Sequence, residues 1–239
     1  MIIGGFDCET ILAQDLPFDP KLVALGQLKD SAKIADKIAK AEAEFQKGMG
    51  QLSKAMATDP ARCQVITFVG IQYDTQEDKI IDRDIMQWGL IDEDAEYEVI
   101  WTGWEFIMHC YNNRIPLVSF NGIGFDLPVL RMAAMRNRIK FPLDMYKNIT
   151  KKWEDNNFHH DLMLILAGWD KQRDKSLDFW LKRFEVGQKT EGMDGSKVGP
   201  AFLAGEYQKI LEYCKNDVLS TCKLFTRIAP WVMPQKEGK

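Results

Sequence analysis

An α/β fold, a sheet covered by helices, is what the order of patterned segments predicts. Three observations lead to it. Segments rich in β-branched and aromatic residues lie at 2–7, 64–73, 79–84 and 115–120. Helical periodicity alternates with the later ones, and the longest amphipathic stretch, 206–228, comes last.

The elements follow in order. Residues 2–7 are apolar up to an acidic end and predict a buried strand, and two prolines within 16–20 mark a loop. From about 29 to 56 the composition shifts to Ala, Lys, Glu and Gln. Ile34, Ile38, Ala41 and Phe45 recur at i, i+4, i+7 and i+11, and Gly48 and Gly50 then break the pattern before a second short helix. This predicts a helical hairpin inserted after the first strand. Residues 64–73 (QVITFVGIQY) predict a central strand, with 79–84 as its hairpin partner across a turn. Residues 96–112 are helical, 115–120 form a short buried strand ending at Asn121-Gly122, and 127–138 are helical again. A basic irregular stretch runs to about Asn157, and 158–161 form a last strand with a helix to Gly168. A helix over 176–184 has Ser176 as N-cap. The final helix, 206–228, carries Ile210, Tyr213, Val218, Thr221, Leu224 and Phe225 on one face. Neither an internal repeat nor a linker interrupts the chain, which predicts one domain over 1–239 with the insertion at about 29–56.

Composition narrows the function. Of 239 residues, 46% are apolar and 28% charged, as in an ordinary globular protein. The five cysteines are odd in number and include no C-x-x-C pair, which argues against a disulfide framework or a cysteine zinc site. The N-terminus lacks a basic region and has no signal-peptide pattern, and no apolar run is long enough to span a bilayer, so a cytoplasmic protein is expected. A net charge of −4 disfavours a broad nucleic-acid-coating surface but not an enzyme that takes only a chain end.

The chemistry lies in carboxylates. Asp7 and Glu9, two apart on a strand, leave by the same face while Cys8 leaves by the other. Alone they would also suit a solvated strand end. Asn121-Gly-Ile-Gly-Phe-Asp126 takes a buried strand through a glycine-broken turn to an acid at a helix start, where Asp126 alone would also serve as a cap. Tyr213 and Asp217 are four apart on the apolar face of the last helix, so Asp217 points inward and needs a partner or a metal.

Together Phe6-Asp-Cys-Glu-Thr10, Asn121-Gly-Ile-Gly-Phe-Asp126 and Tyr213-x-x-x-Asp217 resemble the three motifs of the DEDD superfamily of 3′→5′ exonucleases, in its tyrosine-bearing branch. The likeness is to stand-alone and phage-type enzymes related to the proofreading domain of family B DNA polymerases, and covers residues 1 to about 229. It implies a ribonuclease H-like fold, a five-stranded mixed sheet flanked by helices. It further implies that Asp7, Glu9, Asp126 and Asp217 ligate two Mg²⁺ or Mn²⁺ ions while Tyr213 orients the attacking water. The sister branch uses a histidine where this chain has Glu212. Thr10 would touch the terminal nucleotide, and Asn121 and Phe125 would line the strand's path, although a plain core role is the slightly preferred reading of Phe125. The expected substrate is the 3′ end of single-stranded DNA, with proofreading in trans beside a replication polymerase as the setting. RNA ends are the alternative, and a nucleic-acid-binding protein with a vestigial site is a third reading.

Physical chemistry suits that set. Two hard cations roughly 3.5–4 Å apart activate water and stabilise a leaving 3′-oxygen, and carboxylates are their preferred ligands. His159-His160-Asp161 looks metal-like, but neighbouring strand histidines face opposite ways, which favours a structural role. Trp153 is the best stacking candidate among the tryptophans. The stretch 131–152 has seven basic residues against Asp144, and Arg136, Arg138 and Lys140 are expected to track phosphates.

Overall fold

The computed structural model describes residues 1–13, 20–23, 25–46, 57–88, 90, 95–151, 158–170, 175–189 and 192–233. Five strands make one mixed sheet: β1 (Ile2–Leu12), β2 (Cys63–Asp74), β3 (Lys79–Gln87), β4 (Leu117–Ser119) and β5 (His159–Asp161), in the order β3-β2-β1-β4-β5. The hairpin partners β1, β2 and β3 run antiparallel, whereas β4 pairs parallel to β1 and β5 parallel to β4. This is the five-stranded mixed sheet flanked by helices that the resemblance implied.

Helices close both faces. On one side α2 (Ala95–Asn112) and α3 (Asp126–Arg136) bury Trp104, Phe106, Ile107 and Leu130 against Phe6, Cys8 and Phe68 of the sheet. The short α4 (Leu143–Ile149) completes that layer through Met145 and Ile149. On the other side α6 (Leu177–Arg183) and α8 (Tyr207–Val232) bury Leu177, Leu181, Val218 and Phe225 against Ile3, Val69, Ile71 and Val118. Ser176 caps α6, its Oγ accepting the Phe179 N–H at 3.2 Å, as its sequence position predicts.

Three features depart from the sequence expectations. First, β1 extends to Leu12, so Asp7 and Glu9 sit inside the strand rather than at its end. Pairing continues as Thr10↔Val65 and Leu12↔Cys63 after a register shift between Glu9 and Thr10. Irregularities of this kind re-aim side chains next to active sites. Second, α7 (Gly195–Leu203) contains Gly199 and Pro200, which hid it from a propensity reading. Its Val198, Ala201 and Phe202 cover Ile11 and Tyr213. Third, α4 lies within the stretch expected to be irregular.

The insertion after β1 contains α1 (Ser31–Gln46), on which Ile34, Ile38 and Ala41 are partly covered and the other described side chains are exposed. The expected second arm, and Trp153, lie outside the described residues. The segment leaves and rejoins the sheet at one place, where the Ala13 N–H donates to the Arg62 carbonyl at 2.9 Å.

Arg136 is a strut and not the phosphate contact expected of it. Its guanidinium donates to the Cys63 carbonyl at 2.8 Å and pairs with Glu96 at 2.9 Å, joining α3 to the start of β2 and α2. Arg136→Ala is therefore expected to lower stability by about 1–2 kcal/mol in urea unfolding. It should leave the salt dependence of nucleic-acid binding unchanged. A flattened salt slope with unaltered stability would reverse this assignment.

Candidate active site

Three elements bring the acids together. β1 aims Asp7 and Glu9 at α8, where the Asp7 and Glu9 carboxylates and the Cys214 thiol lie within 4.8 Å of one another. The Cys214 thiol sits 3.6 Å from Asp7 Oδ2. The start of α3 supplies Asp126, 1% exposed, whose Oδ1 accepts the Cys8 N–H of β1 at 2.9 Å. One turn of α8 apart, Tyr213 and Asp217 complete the set, both buried. Glu212 turns away from it, to Lys215 at 3.3 Å and Gln208 at 3.2 Å.

The electrostatics are those of crowded anions. Burial raises Asp7 well above the ordinary carboxylate range, and Asp126, Glu9 and Asp217 add to it, while Lys189 opposes. Glu9 is likewise raised by burial and then by Asp217. Burial pushes Asp126 up to about 6 in spite of its Cys8 hydrogen bonds. Asp217 is raised by burial against the pull of Lys189 and Tyr213.

Lys189 is the residue that sequence reasoning missed. Its ammonium pairs with Asp217, donates to the Tyr213 hydroxyl at 3.0 Å and lies 4.9 Å from that ring's centroid. It stands in an irregular segment with no periodicity to mark it. Left-handed backbone at Glu185 (φ 57) and Gly187 (φ 142) accompanies the return of the chain toward α8. The Lys189 N–H is held by Asp178 of α6 at 3.2 Å. Only the tertiary path brings this lysine to the acids.

A cleft of ≈ 380 Å³ opens beside these groups. Asp7, Asp217 and Lys189 line it, Phe120 and Asn121 form part of its wall, and Lys175 and Ser176 contribute from the other side. Of the remaining sequence candidates, Thr10 is buried and its hydroxyl donates to the Ala57 carbonyl at 2.6 Å. Phe125 is partly exposed and packs on the α2–α3 core. His159 and His160 face opposite sides of the sheet, one against Phe6 and one against Phe225, and neither approaches the carboxylate cluster as a ligand among the described residues.

The donor set fits hard divalent cations. Carboxylate oxygens dominate it, they repel one another, and Asp217 Oδ1 is buried with no hydrogen-bond partner among the described residues. The neighbouring thiol of Cys214 is held protonated by burial and by Asp7.

A family model described as a predicted 3′-5′ exonuclease related to the exonuclease domain of PolB matches residues 60–232. The chain belongs to this family. The matched span includes Asp126, Lys189, Tyr213 and Asp217, and Asp7 and Glu9 precede it. The chain is thus a nuclease of the 3′→5′ exonuclease kind, acting on nucleic acid, and enzymes of this PolB-related kind generally use divalent metal ions. Among solved structures, E. coli exonuclease I in complex with a 5cy-dA13 oligonucleotide is similar, with a TM-score of 0.36 and 15% identity. The alignment covers 74% of this chain and 39% of that one. No curated protein sequence matches. Among the described residues no helix is long and apolar enough to cross a membrane.

Proposed function

We propose that this PolB-related exonuclease removes nucleotides one at a time from the 3′ ends of single-stranded DNA by two-metal-ion hydrolysis. It would act in trans on mispaired or frayed ends left by a replication polymerase, as a member of the tyrosine-bearing branch. The observation that carries the reading is the convergence of four carboxylates and one phenol from β1, α3 and α8 beside an open cleft. Asp7, Glu9, Asp126 and Asp217 would hold two Mg²⁺ or Mn²⁺ ions. When bound, such ions make water nucleophilic near neutral pH and offset the charge on the leaving 3′-oxygen.

The chain's own groups do the rest. Tyr213 is fixed in place by Ile11 and Phe202, and burial, with Glu9 and Asp217 adding to it, raises its pKa. It stays a neutral phenol that hydrogen-bonds the attacking water without competing for metal. Lys189 brings the cluster a positive charge beside Asp217 and Tyr213. Asn121 and Phe120 offer a wall for the terminal nucleotide, in a cleft lined by Lys175 as well. The volume of ≈ 380 Å³ suits one small ligand unit rather than a duplex.

The test is digestion of 5′-labelled single-stranded DNA and RNA with Mg²⁺ present or chelated. Stepwise shortening of DNA from its 3′ end, abolished by chelator, is expected. Preferential loss of RNA would assign an exoribonuclease, and no digestion of either would return the chain to a binding role. Preference for a mispaired over a paired 3′ end checks the proofreading setting.

Tyr213→Phe is expected to lower kcat by roughly ten- to a hundredfold, since only water orientation is lost. Glu212→Ala should stay within about twofold of wild type, because its contacts are on the solvent side. A Glu212→Ala defect larger than that of Tyr213→Phe would show that the wrong face of α8 had been assigned.

A further inference from the structure

Two of the three side chains of the His159-His160-Asp161 motif are committed to one turn. That turn runs from the end of β4 to the start of α3 and contains Asn121. Three successive amides in it are received by side chains. Asp161 Oδ1 accepts the Asn121 N–H at 2.9 Å, Ser119 Oγ accepts the Gly122 N–H at 3.1 Å, and Asp161 Oδ2 accepts the Ile123 N–H at 3.0 Å. Asp161 is 1% exposed and also caps the following helix α5 (Leu162–Leu166) through the Met163 N–H at 3.1 Å. Met163 lines the cleft, as Asn121 does.

His159 is the prop behind Ser119. Its Nδ1 lies 2.7 Å from the Ile149 carbonyl, which can only accept, so Nδ1 carries the proton. Nε2 is then an acceptor, and the Ser119 hydroxyl donates to it across 2.8 Å while its lone pair takes the Gly122 amide. Burial, which lowers the His159 pKa to about 4, keeps this arrangement neutral at ordinary pH. The turn also fills its own space. A Cβ at Gly122 would strike Ser119 Oγ, and one at Gly124 would strike Asn121 Oδ1. Asn121 itself sits in the left-handed region at φ 71, a conformation that asparagine tolerates but that a flexible turn would leave.

We propose that Ser119, His159 and Asp161 form a positioning set that holds Asn121 in place as a wall of the substrate cleft, independently of the metal ligands. The independence follows from Asp126. It lies beyond the turn but has its own anchor, the Cys8 N–H of β1. Loss of the set displaces Asn121 and leaves the carboxylate cluster assembled. This rests on the proposed function, in which Asn121 meets the terminal nucleotide.

The experiment is a double-mutant cycle of Asp161→Asn and Asn121→Ala, read in KM and kcat on a 5′-labelled single-stranded DNA. The amide in Asp161→Asn keeps one acceptor oxygen and sets an N–H donor against either Asn121 or Ile123. KM is expected to rise by about tenfold in each single variant, with kcat within about threefold, and the double variant should match the larger single effect. The midpoint of a Mn²⁺ titration without DNA, followed by thermal stability, should shift by less than about threefold in Asp161→Asn. Multiplying KM effects, or a Mn²⁺ midpoint displaced as far as KM, would overturn the inference. Should Asp161→Asn fail to fold, Ser119→Ala carries the same expectation, and an unchanged KM there overturns it equally. A wild type that binds but does not digest the strand defeats only the proposed function, because the cycle is then read in dissociation constants by fluorescence anisotropy.

Discussion

Alanine in place of Asp7, Glu9, Asp126 or Asp217 lowers turnover in Mg²⁺ by about three orders of magnitude or more, while circular dichroism remains that of the wild type. The size follows from a shared site. Each acid serves ions that the others also hold, so one loss disables the ensemble and a second adds little. Folding survives because burial raises the pKa of all four acids in the metal-free protein, and for Asp7 and Glu9 the neighbouring carboxylates add to it. Steady-state rates of the four single variants and of Asp7→Ala/Asp217→Ala check this. A single variant near the wild-type rate, or a double variant equal to the product of two singles, would sink the shared-site reading.

The second large effect is on thermal stability. Ions that bind the folded state and not the unfolded chain stabilise it by about 2.7 kcal/mol at a hundredfold excess over Kd. For a chain of this length that is a rise in Tm of roughly 5–10 °C, expected with Mn²⁺ and reversed by chelator. In chelator, stability falls as pH rises. Each acid's folded pKa lies above its unfolded value, so the folded protein retains protons that the unfolded chain has released. The penalty is absent below about pH 4, grows with pH, and is complete for Asp126 above about 6. Asp7→Asn removes the most crowded charge and should raise Tm in chelator at pH 7.5. Asp217→Asn should not, because it would strand the Lys189 ammonium that now pairs with Asp217. Indifference to millimolar Mn²⁺, together with an Asp7→Asn protein less stable than wild type in chelator, would exclude the metal site.

Much of this was legible because it is local. β-Branched and aromatic residues marked 64–73, and β2 covers Cys63–Asp74; the apolar face of α8 put Tyr213 and Asp217 side by side and inward. What escaped depends on partners far along the chain. Lys189 has no pattern of its own and reaches Asp217 only through the packing of α6 and α8. Arg136 looked like one of a basic run until Glu96 and Cys63, distant in sequence, were seen to hold it. The extension of β1 past Asp7 is a pairing effect, since β2 offers Val65, Gln64 and Cys63 as partners for Thr10, Ile11 and Leu12. Helix α7 was hidden by Gly199 and Pro200, and exists because Val198, Ala201 and Phe202 find a surface on Ile11 and Tyr213.

The Ala13–Arg62 hydrogen bond closes the gap across which the insertion departs and returns. Its two ends are neighbouring strands, spaced about 4.8 Å apart, so whatever lies between them is attached like a module on a two-pin socket. Loop-closure cost grows only with the logarithm of length, about 0.6 kcal/mol per doubling. Beyond Ala57, whose carbonyl takes the Thr10 hydroxyl of β1, the content of that module can therefore change widely without loading the sheet. Selection can rework the appendage and the hydrolytic centre on separate schedules. For the engineer it is a port: a reporter or a tethering domain whose termini lie close together can be spliced in there and carried within reach of the nuclease.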